Sequence, residues 1–345
     1  MPDTTAEAPN LLEVERLRVR FRTLGAIRAR IAGVADPFLD AVLDVSFTLK
    51  AGTTFALVGE SGSGKTTLGR AILGLVPVHS GEVRFDGHAV RGTSDRAFQP
   101  LRRKIAMMFQ DPLASLSPRL IVKALITEPF LIHGMRDRDL DREARRLLDM
   151  VGLPADFVAR YPHELSGGQA RRVGVARALA LAPKLIIADE PTAGLDVSVQ
   201  GEVLNLMNRL QAELGLAYLI ITHNLAVVRH VSDEMAIMYM GRFVERGPTS
   251  RIFAAPSHPY TRGLLAAEPH PDPDERREQV ELKGEVPSLA RRPSGCEFHT
   301  RCPHARDNCR SEAPRTRDLE PGHAIMCHYP LVGNEARVAQ EALLR

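Results

Sequence analysis

Residues 59–67, Gly59-Glu60-Ser61-Gly62-Ser63-Gly64-Lys65-Thr66-Thr67, combine glycines, a lysine and hydroxyl side chains at a spacing typical of phosphate-binding loops. The glycines let the backbone curl so that successive N–H groups point at phosphate oxygens. We expect Lys65 to reach the β- and γ-phosphates of a nucleotide and the Thr66 hydroxyl to bind Mg²⁺. The alternative is an ordinary glycine-rich turn between a strand and a helix, which the full match to the pattern disfavours.

A pair of acids follows a second apolar run. Residues 185–188 read Leu-Ile-Ile-Ala, and Asp189 and Glu190 come directly after them. An acid at the end of a buried strand beside a phosphate loop is placed to enter the Mg²⁺ shell, and this is the role predicted for Asp189. Glu190 is then placed to orient and deprotonate a water molecule. The alternative is a solvated pair of acids with no chemical role.

The third feature is Leu165-Ser166-Gly167-Gly168-Gln169, the signature segment, which opens a helix predicted over 170–182. Alone it could be a glycine-rich helix start with Ser166 as the N-cap. Its position between the two preceding features resembles the signature motif of ATP-binding-cassette (ABC) ATPases, and the resemblance covers about residues 11–267. The resemblance implies two subunits packed head to tail, with the signature of one chain closing over the ATP held by the other.

The same resemblance gives roles to four more residues. Gln110 is expected to touch Mg²⁺ or water and to sense a membrane partner, and Asp196 to lie at the dimer interface. His223 is expected near the γ-phosphate. Phe21 is expected to stack on adenine, although a core phenylalanine is the alternative. The predicted nucleotide-binding set is Phe21, Gly59, Glu60, Ser61, Gly62, Ser63, Gly64, Lys65, Thr66, Thr67, Ser166, Gly167, Gly168, Gln169 and Asp196; the catalytic set is Glu190, His223 and Gln110; and the Mg²⁺ set is Thr66, Gln110 and Asp189.

Three further segments, 109–119, 257–262 and 295–303, resemble the oligopeptide/dipeptide importer branch of this family. That branch implies a second homologous ATP-binding subunit in a heterodimer, two transmembrane permease subunits and an extracytoplasmic substrate-binding protein. Residues 111–119, including Leu116, are expected to face the membrane partner. Dipeptides, oligopeptides, nickel chelates and glycosides all remain open as cargo, because other subunits recognise it.

All four cysteines of the chain, Cys296, Cys302, Cys309 and Cys327, lie in its last 50 residues. The lack of a Cys-x-x-Cys pair weakens the case for zinc. Four thiolates are the usual ligands of an iron–sulfur cluster, and the family resemblance implies a structural [4Fe–4S] cluster here. Arg291, Arg292 and Arg301 are then expected to offset its negative charge. Zinc bound with nearby histidines, and four reduced thiols, are the alternatives.

The elements that must position these residues alternate between short apolar runs and amphipathic stretches. The runs at 56–58, 105–108, 185–188 and 218–221 indicate buried parallel strands, and 66–75 and 199–213 indicate helices. We predict an α/β fold: a P-loop NTPase core with a parallel sheet, an antiparallel β portion and a helical subdomain, plus a small irregular C-terminal region. The predicted domains are 11–267, with the helical subdomain at about 112–168, and 268–345 after a linker.

The composition favours a globular protein: 44% of the 345 residues are hydrophobic, 25% are charged, and the net charge is +3. So small a basic excess predicts no nucleic-acid partner. It also disfavours a DNA-repair or translation ATPase, as do the single cassette and the lack of a long heptad insertion. A non-hydrolysing regulatory cassette is disfavoured because Lys65, Asp189, Glu190 and His223 are all present. Neither a membrane-spanning run nor a signal peptide is found, so a peripheral position on the cytoplasmic face of the cell membrane is expected.

Overall fold

The computed structural model describes residues 9–23, 37–90, 95–111, 114–268, 282 and 284–331. The chain divides into two compact units. The first unit contains 1–13, 48–54 and 84–221, and the second contains 14–47, 55–83 and 222–345.

The strands and helices alternate through most of the described chain. The strands are β1 (Asn10–Arg22), β2 (Phe38–Lys50), β3 (Thr54–Val58), β4 (Ser80–Phe85), β5 (His88–Ala89), β6 (Ile105–Met108), β7 (Leu185–Asp189), β8 (Ala217–Thr222), β9 (Glu234–Tyr239), β10 (Arg242–Pro248), β11 (Arg317–Glu320) and β12 (His323–Ile325). The helices are α1 (Lys65–Ile72), α2 (Asp95–Arg102), α3 (Val122–Ile132), α4 (Leu140–Met150), α5 (Gly167–Leu179), α6 (Val197–Leu214), α7 (Leu225–Val231), α8 (Thr249–Ala254), α9 (Pro259–Ala266) and α10 (Asp307–Ser311). Two 3₁₀ turns, Ala155–Ala159 and Pro162–Glu164, precede α5.

In the first unit, β6, β7 and β8 pair in parallel in that order. Every residue of β7 and β8 is buried, which explains why these strands are continuous apolar runs rather than alternating ones. Helices α3 and α4 and the 3₁₀ turns occupy the stretch for which a helical insertion was predicted. Asp139 caps α4 by accepting the N–H groups of Asp141 and Arg142, so the helix begins at Leu140.

In the second unit the strand order is β11–β12–β10–β9–β3. Strands β3 and β9 pair in parallel, while β9 with β10, β10 with β12, and β12 with β11 pair antiparallel. The C-terminal region is therefore less irregular than predicted, because two of its strands extend this sheet. Strand β12 has only three residues, all buried, and so short a run carries no readable periodicity in the sequence.

A second sheet of the described residues contains four strands. Strands β2, β1 and β4 lie in that order, and β5 pairs with the end of β4 through Arg84↔Ala89 and Phe85↔His88. The predicted α/β class with parallel and antiparallel strands is confirmed. Among the residues that the structure describes, none of the helices has the length and apolar character needed to span a membrane.

Candidate functional site

The phosphate loop, residues 59–67, connects β3 to α1 in the second unit. Gly59 and Gly64 both have positive φ, 154° and 105°. A Cβ at Gly59 would overlap the carbonyl oxygen of Met238, and a Cβ at Gly64 would overlap that of Ala41. Because neighbouring backbone closes in on the loop at both positions, only glycine allows this curled path. Such a cradle of backbone groups fits a nucleotide phosphate.

Lys65 lies inside the curl of this loop. Its Nζ donates to the carbonyl oxygens of Gly59 at 2.7 Å and Glu60 at 2.9 Å, and to Ser63 Oγ at 3.3 Å. Lys65 is also the first residue of α1, which Gly64 precedes in the left-handed conformation. An ammonium group and a helix N-terminus at the same loop both favour an anion there.

The two acids end β7 in the first unit. Asp189 is buried and lies opposite Ile221 of β8, and the N–H of Glu190 donates to the carbonyl oxygen of Ile221 at 2.7 Å. Glu190 has a φ of 50°, an uncommon conformation for a residue with a side chain. Strain of this kind concentrates at functional sites, and here it turns the chain sharply just after the strand.

The signature segment caps α5. Ser166 Oγ accepts the N–H of Gln169, and Gln169 Oε1 accepts the N–H of Ser166, so the two side chains form a capping box. A Cβ at Gly168 would lie 2.6 Å from Val199 Cγ1, which requires glycine for this close packing against α6. Asp196 caps α6 by accepting the N–H of Val199. The signature segment and Asp196 therefore lie close together in the first unit.

Arg171, which the sequence analysis did not single out, connects these segments. Its side chain donates to the carbonyl oxygens of Gln110 at 3.0 Å and Ala193 at 2.8 Å. Burial lowers the pKa of this guanidinium below its ordinary value. Arg171 thereby joins Gln110, two residues after β6, to the loop after β7 and to helix α5. Its position two residues after Gln169 was visible in the sequence, but nothing there showed that its side chain turns inward.

His223 and Phe21 lie in the second unit, and both are exposed. His223 follows β8, and Asn224 beside it caps α7 by accepting the N–H of Val227. Asparagine is among the preferred N-cap residues, so Asn224 stabilises the helix start that directly follows His223. Phe21 lies near the end of β1, beside β2, where Phe38 is also exposed. The alternative of a core phenylalanine therefore loses support.

Leu116 was expected to face a membrane partner, and the structure places it elsewhere. Only 1% of Leu116 is exposed, because it belongs to the apolar core of the first unit. Nearby residues on the same stretch, Ser117, Pro118, Arg119 and Leu120, are exposed. The spacing of one leucine among polar residues could not reveal which side of an irregular turn points inward.

The predicted [4Fe–4S] cluster at Cys296, Cys302, Cys309 and Cys327 is wrong. The four cysteines are free thiols that line one small cavity. However, within the described ranges no three side chains of histidine, cysteine, aspartate or glutamate are grouped so that they could hold a metal ion. Burial raises the pKa of Cys302 to about 11 and that of Cys327 to about 12.

The C-terminal region packs into an apolar core, so it does not need a metal cluster as a cross-link. Phe298 is buried against Tyr239, Tyr260 and His258, and Cys296 and Cys302 pack against the same cluster.

Two of the three arginines that were expected to offset the cluster charge have other partners. Arg301 pairs with Glu60, and Arg292 pairs with Glu297.

The comparisons with known proteins agree with these features. Residues 42–193 match the family described as "ABC transporter", and residues 244–309 match "Oligopeptide/dipeptide transporter, C-terminal region". The chain is 47% identical to "Probable peptide ABC transporter ATP-binding protein y4tS" of Sinorhizobium fredii, over 89% of this chain and 87% of that protein. It is 43% identical to "Oligopeptide transport ATP-binding protein AppF" of Bacillus subtilis, over 94% and 99% of the two chains.

Solved structures give the same assignment. The dimeric ATP-binding cassette MJ0796, in a post-hydrolysis state bound to ADP and Pi, superposes with a TM-score of 0.60 at 27% identity, covering 69% of this chain and 98% of that one. CbiO1 of Clostridium perfringens, part of an ABC transporter complex, gives a TM-score of 0.61 at 28% identity, covering 71% and 91%. This chain belongs to the ATP-binding subunits of ABC transporters, in the oligopeptide/dipeptide importer branch, and it is an ATPase that uses ATP with Mg²⁺.

Proposed function

We propose that this chain is the ATP-hydrolysing subunit of an importer for di- or oligopeptides. The observation that carries the cargo class is the match of residues 244–309 to the C-terminal region of oligopeptide/dipeptide transporters. The names of the relatives from Sinorhizobium and Bacillus point to the same cargo. Peptide uptake then depends on ATP hydrolysis by this chain.

The proposed nucleotide site is assigned residue by residue. The backbone N–H groups of the phosphate loop and the ammonium of Lys65 hold the phosphates, and Phe21 supports the adenine. Thr66, Asp189 and Gln110 are assigned to Mg²⁺, which would neutralise phosphate charge when bound. Two observations support this assignment: Lys65 lies enclosed in the phosphate loop, and Asp189 is buried.

The proposed chemical step is the attack of water on the terminal phosphate. Glu190 orients this water and accepts its proton, and His223 donates a hydrogen bond near the transferred phosphate. The turn at Glu190, with its φ of 50°, supports this assignment because it redirects the chain immediately after buried Asp189. Glu190 is the residue that directly follows β7.

The proposed working form is a head-to-tail dimer with a second, homologous ATP-binding subunit. The exposed start of α5 provides N–H groups and Ser166 for a phosphate held by the opposite chain. ATP closes this dimer, and hydrolysis opens it. Two permease subunits receive the motion, a substrate-binding protein outside the membrane delivers the peptide, and this chain lies peripherally on the cytoplasmic face.

We assign residues 11–267 to the nucleotide-binding domain, with its helical subdomain at about 112–168. Residues 268–345 form the proposed C-terminal region. Supporting an ordered C-terminal region are the strands β11 and β12 and the packing of Phe298 against residues of 11–267.

Uptake of labelled peptides by cells that lack this chain tests the proposal. Wild-type chain should restore uptake, and Glu190→Gln should not, because loss of a general base slows hydrolysis by roughly 10²- to 10⁴-fold. Purified Glu190→Gln should still bind ATP. The control is Glu213→Gln, an exposed residue of α6 that pairs loosely with Arg209 at 3.6 Å.

The cargo assignment fails if peptide uptake is the same with and without the chain while uptake of nickel chelates depends on it. The chemical assignment fails if Glu190→Gln hydrolyses ATP at the wild-type rate.

A further inference from the structure

An arginine of the C-terminal region reaches the phosphate loop. Arg301 Nη1 lies 2.7 Å from Glu60 Oε2, and Nη2 lies 3.1 Å from Glu60 Oε1. This is a bidentate ion pair, in which the flat guanidinium matches both carboxylate oxygens. The side chain of Arg301 is only 5% exposed and that of Glu60 is 31% exposed, so solvent screens the pair weakly.

The main chain of Glu60 is held as well. Its N–H donates to the hydroxyl of Tyr260 at 3.1 Å. Tyr260 is fully buried, and its ring packs against Tyr239 and against Phe298 of the C-terminal region. The second residue of the phosphate loop is therefore fixed at both its backbone and its side chain.

A second arginine of the C-terminal region contacts residues that lie next to the phosphate loop. Arg292 donates to the carbonyl oxygens of Met240 and Asp40. The next residue after Met240 is Gly241, whose N–H donates to the carbonyl oxygen of Ser63 at 2.8 Å. The residues that surround the loop are thus tied to the C-terminal region at a second place.

The charge of Glu60 matters at such a loop. A carboxylate beside a triphosphate site repels the ligand unless a cation neutralises it. At an effective dielectric constant of about 20, one uncompensated charge roughly 10 Å from another changes binding by about tenfold. In this structure the neutralising group comes from the C-terminal region, about 240 residues away along the chain.

We propose that Arg301 is a positioning residue of the nucleotide site: it neutralises Glu60 and fixes the phosphate loop, so the C-terminal region sets the affinity for ATP. This inference rests on the proposed nucleotide site. It gives the C-terminal region a role in ATP binding in addition to its packing.

The test measures ATP affinity of the full-length chain, with Mg²⁺, at low and high salt. Arg301→Met should weaken ATP binding about tenfold at low salt, and the loss should shrink at high salt because the repulsion is electrostatic. Adding Glu60→Gln to Arg301→Met should restore most of the affinity. Arg310→Met removes the same charge from an exposed position of the same region and should change the affinity by less than about twofold.

Glu60→Gln alone supplies a second test that does not risk the fold, since glutamine still offers an oxygen to Arg301. It leaves the arginine charge uncompensated, so ATP should bind at least as tightly as in the wild type and with a steeper salt dependence. If Arg301→Met does not fold, this variant decides the question. Weaker binding by Glu60→Gln, or an Arg301→Met defect that Glu60→Gln does not relieve, would overturn the proposal.

Lys65→Ala separates this inference from the nucleotide site on which it rests. If Lys65→Ala binds ATP like the wild type, the site itself is misplaced. If Lys65→Ala loses ATP while Arg301→Met keeps wild-type affinity, the site stands and the role of Arg301 is overturned.

Discussion

The guanidinium of Arg171 donates to the main-chain oxygen of Gln110 at 3.0 Å. A second hydrogen bond of 2.8 Å joins the same side chain to Ala193, in the loop after Glu190. One buried side chain therefore links the start of helix α5 to two segments that are assigned to Mg²⁺ and water.

Arg171→Met should lower the free energy of unfolding by about 1–3 kcal/mol for each carbonyl that loses its donor. Only 1% of Arg171 is exposed, so water cannot replace these hydrogen bonds. Urea unfolding measures the loss. Arg145→Met is the control, because Arg145 is half exposed and pairs with Asp141 on the surface of α4, where such pairs are worth less than about 1 kcal/mol. Equal losses in the two variants would contradict the linking role.

Ser166→Asp separates binding of ATP from dimer closure. Aspartate caps a helix as well as serine does, so α5 should stay intact. Its negative charge should repel a phosphate on the opposite chain and abolish the ATP-driven dimer, which light scattering detects in the Glu190→Gln background. ATP affinity of the single chain should stay near the wild-type value. A loss of that affinity as large as the loss in Lys65→Ala would place Ser166 in its own chain's site.

Leu116, inside the segment 111–119 that was predicted to face a membrane partner, and Leu120, directly after that segment, give opposite expectations. Leu120 is 37% exposed, so Leu120→Asp should leave basal ATPase activity intact and reduce peptide transport in reconstituted vesicles. Leu116→Asp places a charge in the core and should unfold the first unit, which thermal melting shows. Full transport by Leu120→Asp would remove this surface from the proposed contact with the permeases.

His258 should make stability depend on pH. Burial lowers its pKa from 6.5 to about 4, and its Nδ1 accepts the N–H of Tyr260 at 3.0 Å, which requires a neutral ring. Below about pH 6.5, His258 of the unfolded chain takes up a proton, whereas the buried ring of the folded chain stays neutral until the pH approaches 4. The stability is therefore complete above this pH and falls as the pH drops toward 4, by on the order of 3 kcal/mol in total.

Urea unfolding at pH 7.5, 6 and 5 measures this fall. His258→Asn keeps a capping acceptor for α9 but cannot titrate, so its curve should be flatter than the wild-type curve. If the two proteins lose stability in parallel, other groups are responsible.

The sequence by itself determined the chemistry and the family. Three local patterns carried this prediction: the spacing of Gly59, Gly64 and Lys65, the acids after a buried run, and the signature segment. Such patterns can be recognised in the sequence because they are formed by residues that are neighbours in the chain. The strands at 105–108 and 185–189 were predictable for the same reason, because short apolar runs bounded by polar residues indicate parallel strands.

Tertiary structure decided what depends on distant partners. Arg301 reads as one arginine among several until the fold sets it against Glu60, and Arg171 reads as a surface residue until its side chain meets Gln110. The four cysteines suggested a metal site because their spacing along the chain does not show how their side chains are arranged, and within the described residues they form no group that could hold a metal ion. Packing decides which distant residues pair and how far each group is removed from water. These properties therefore become visible only in the tertiary structure.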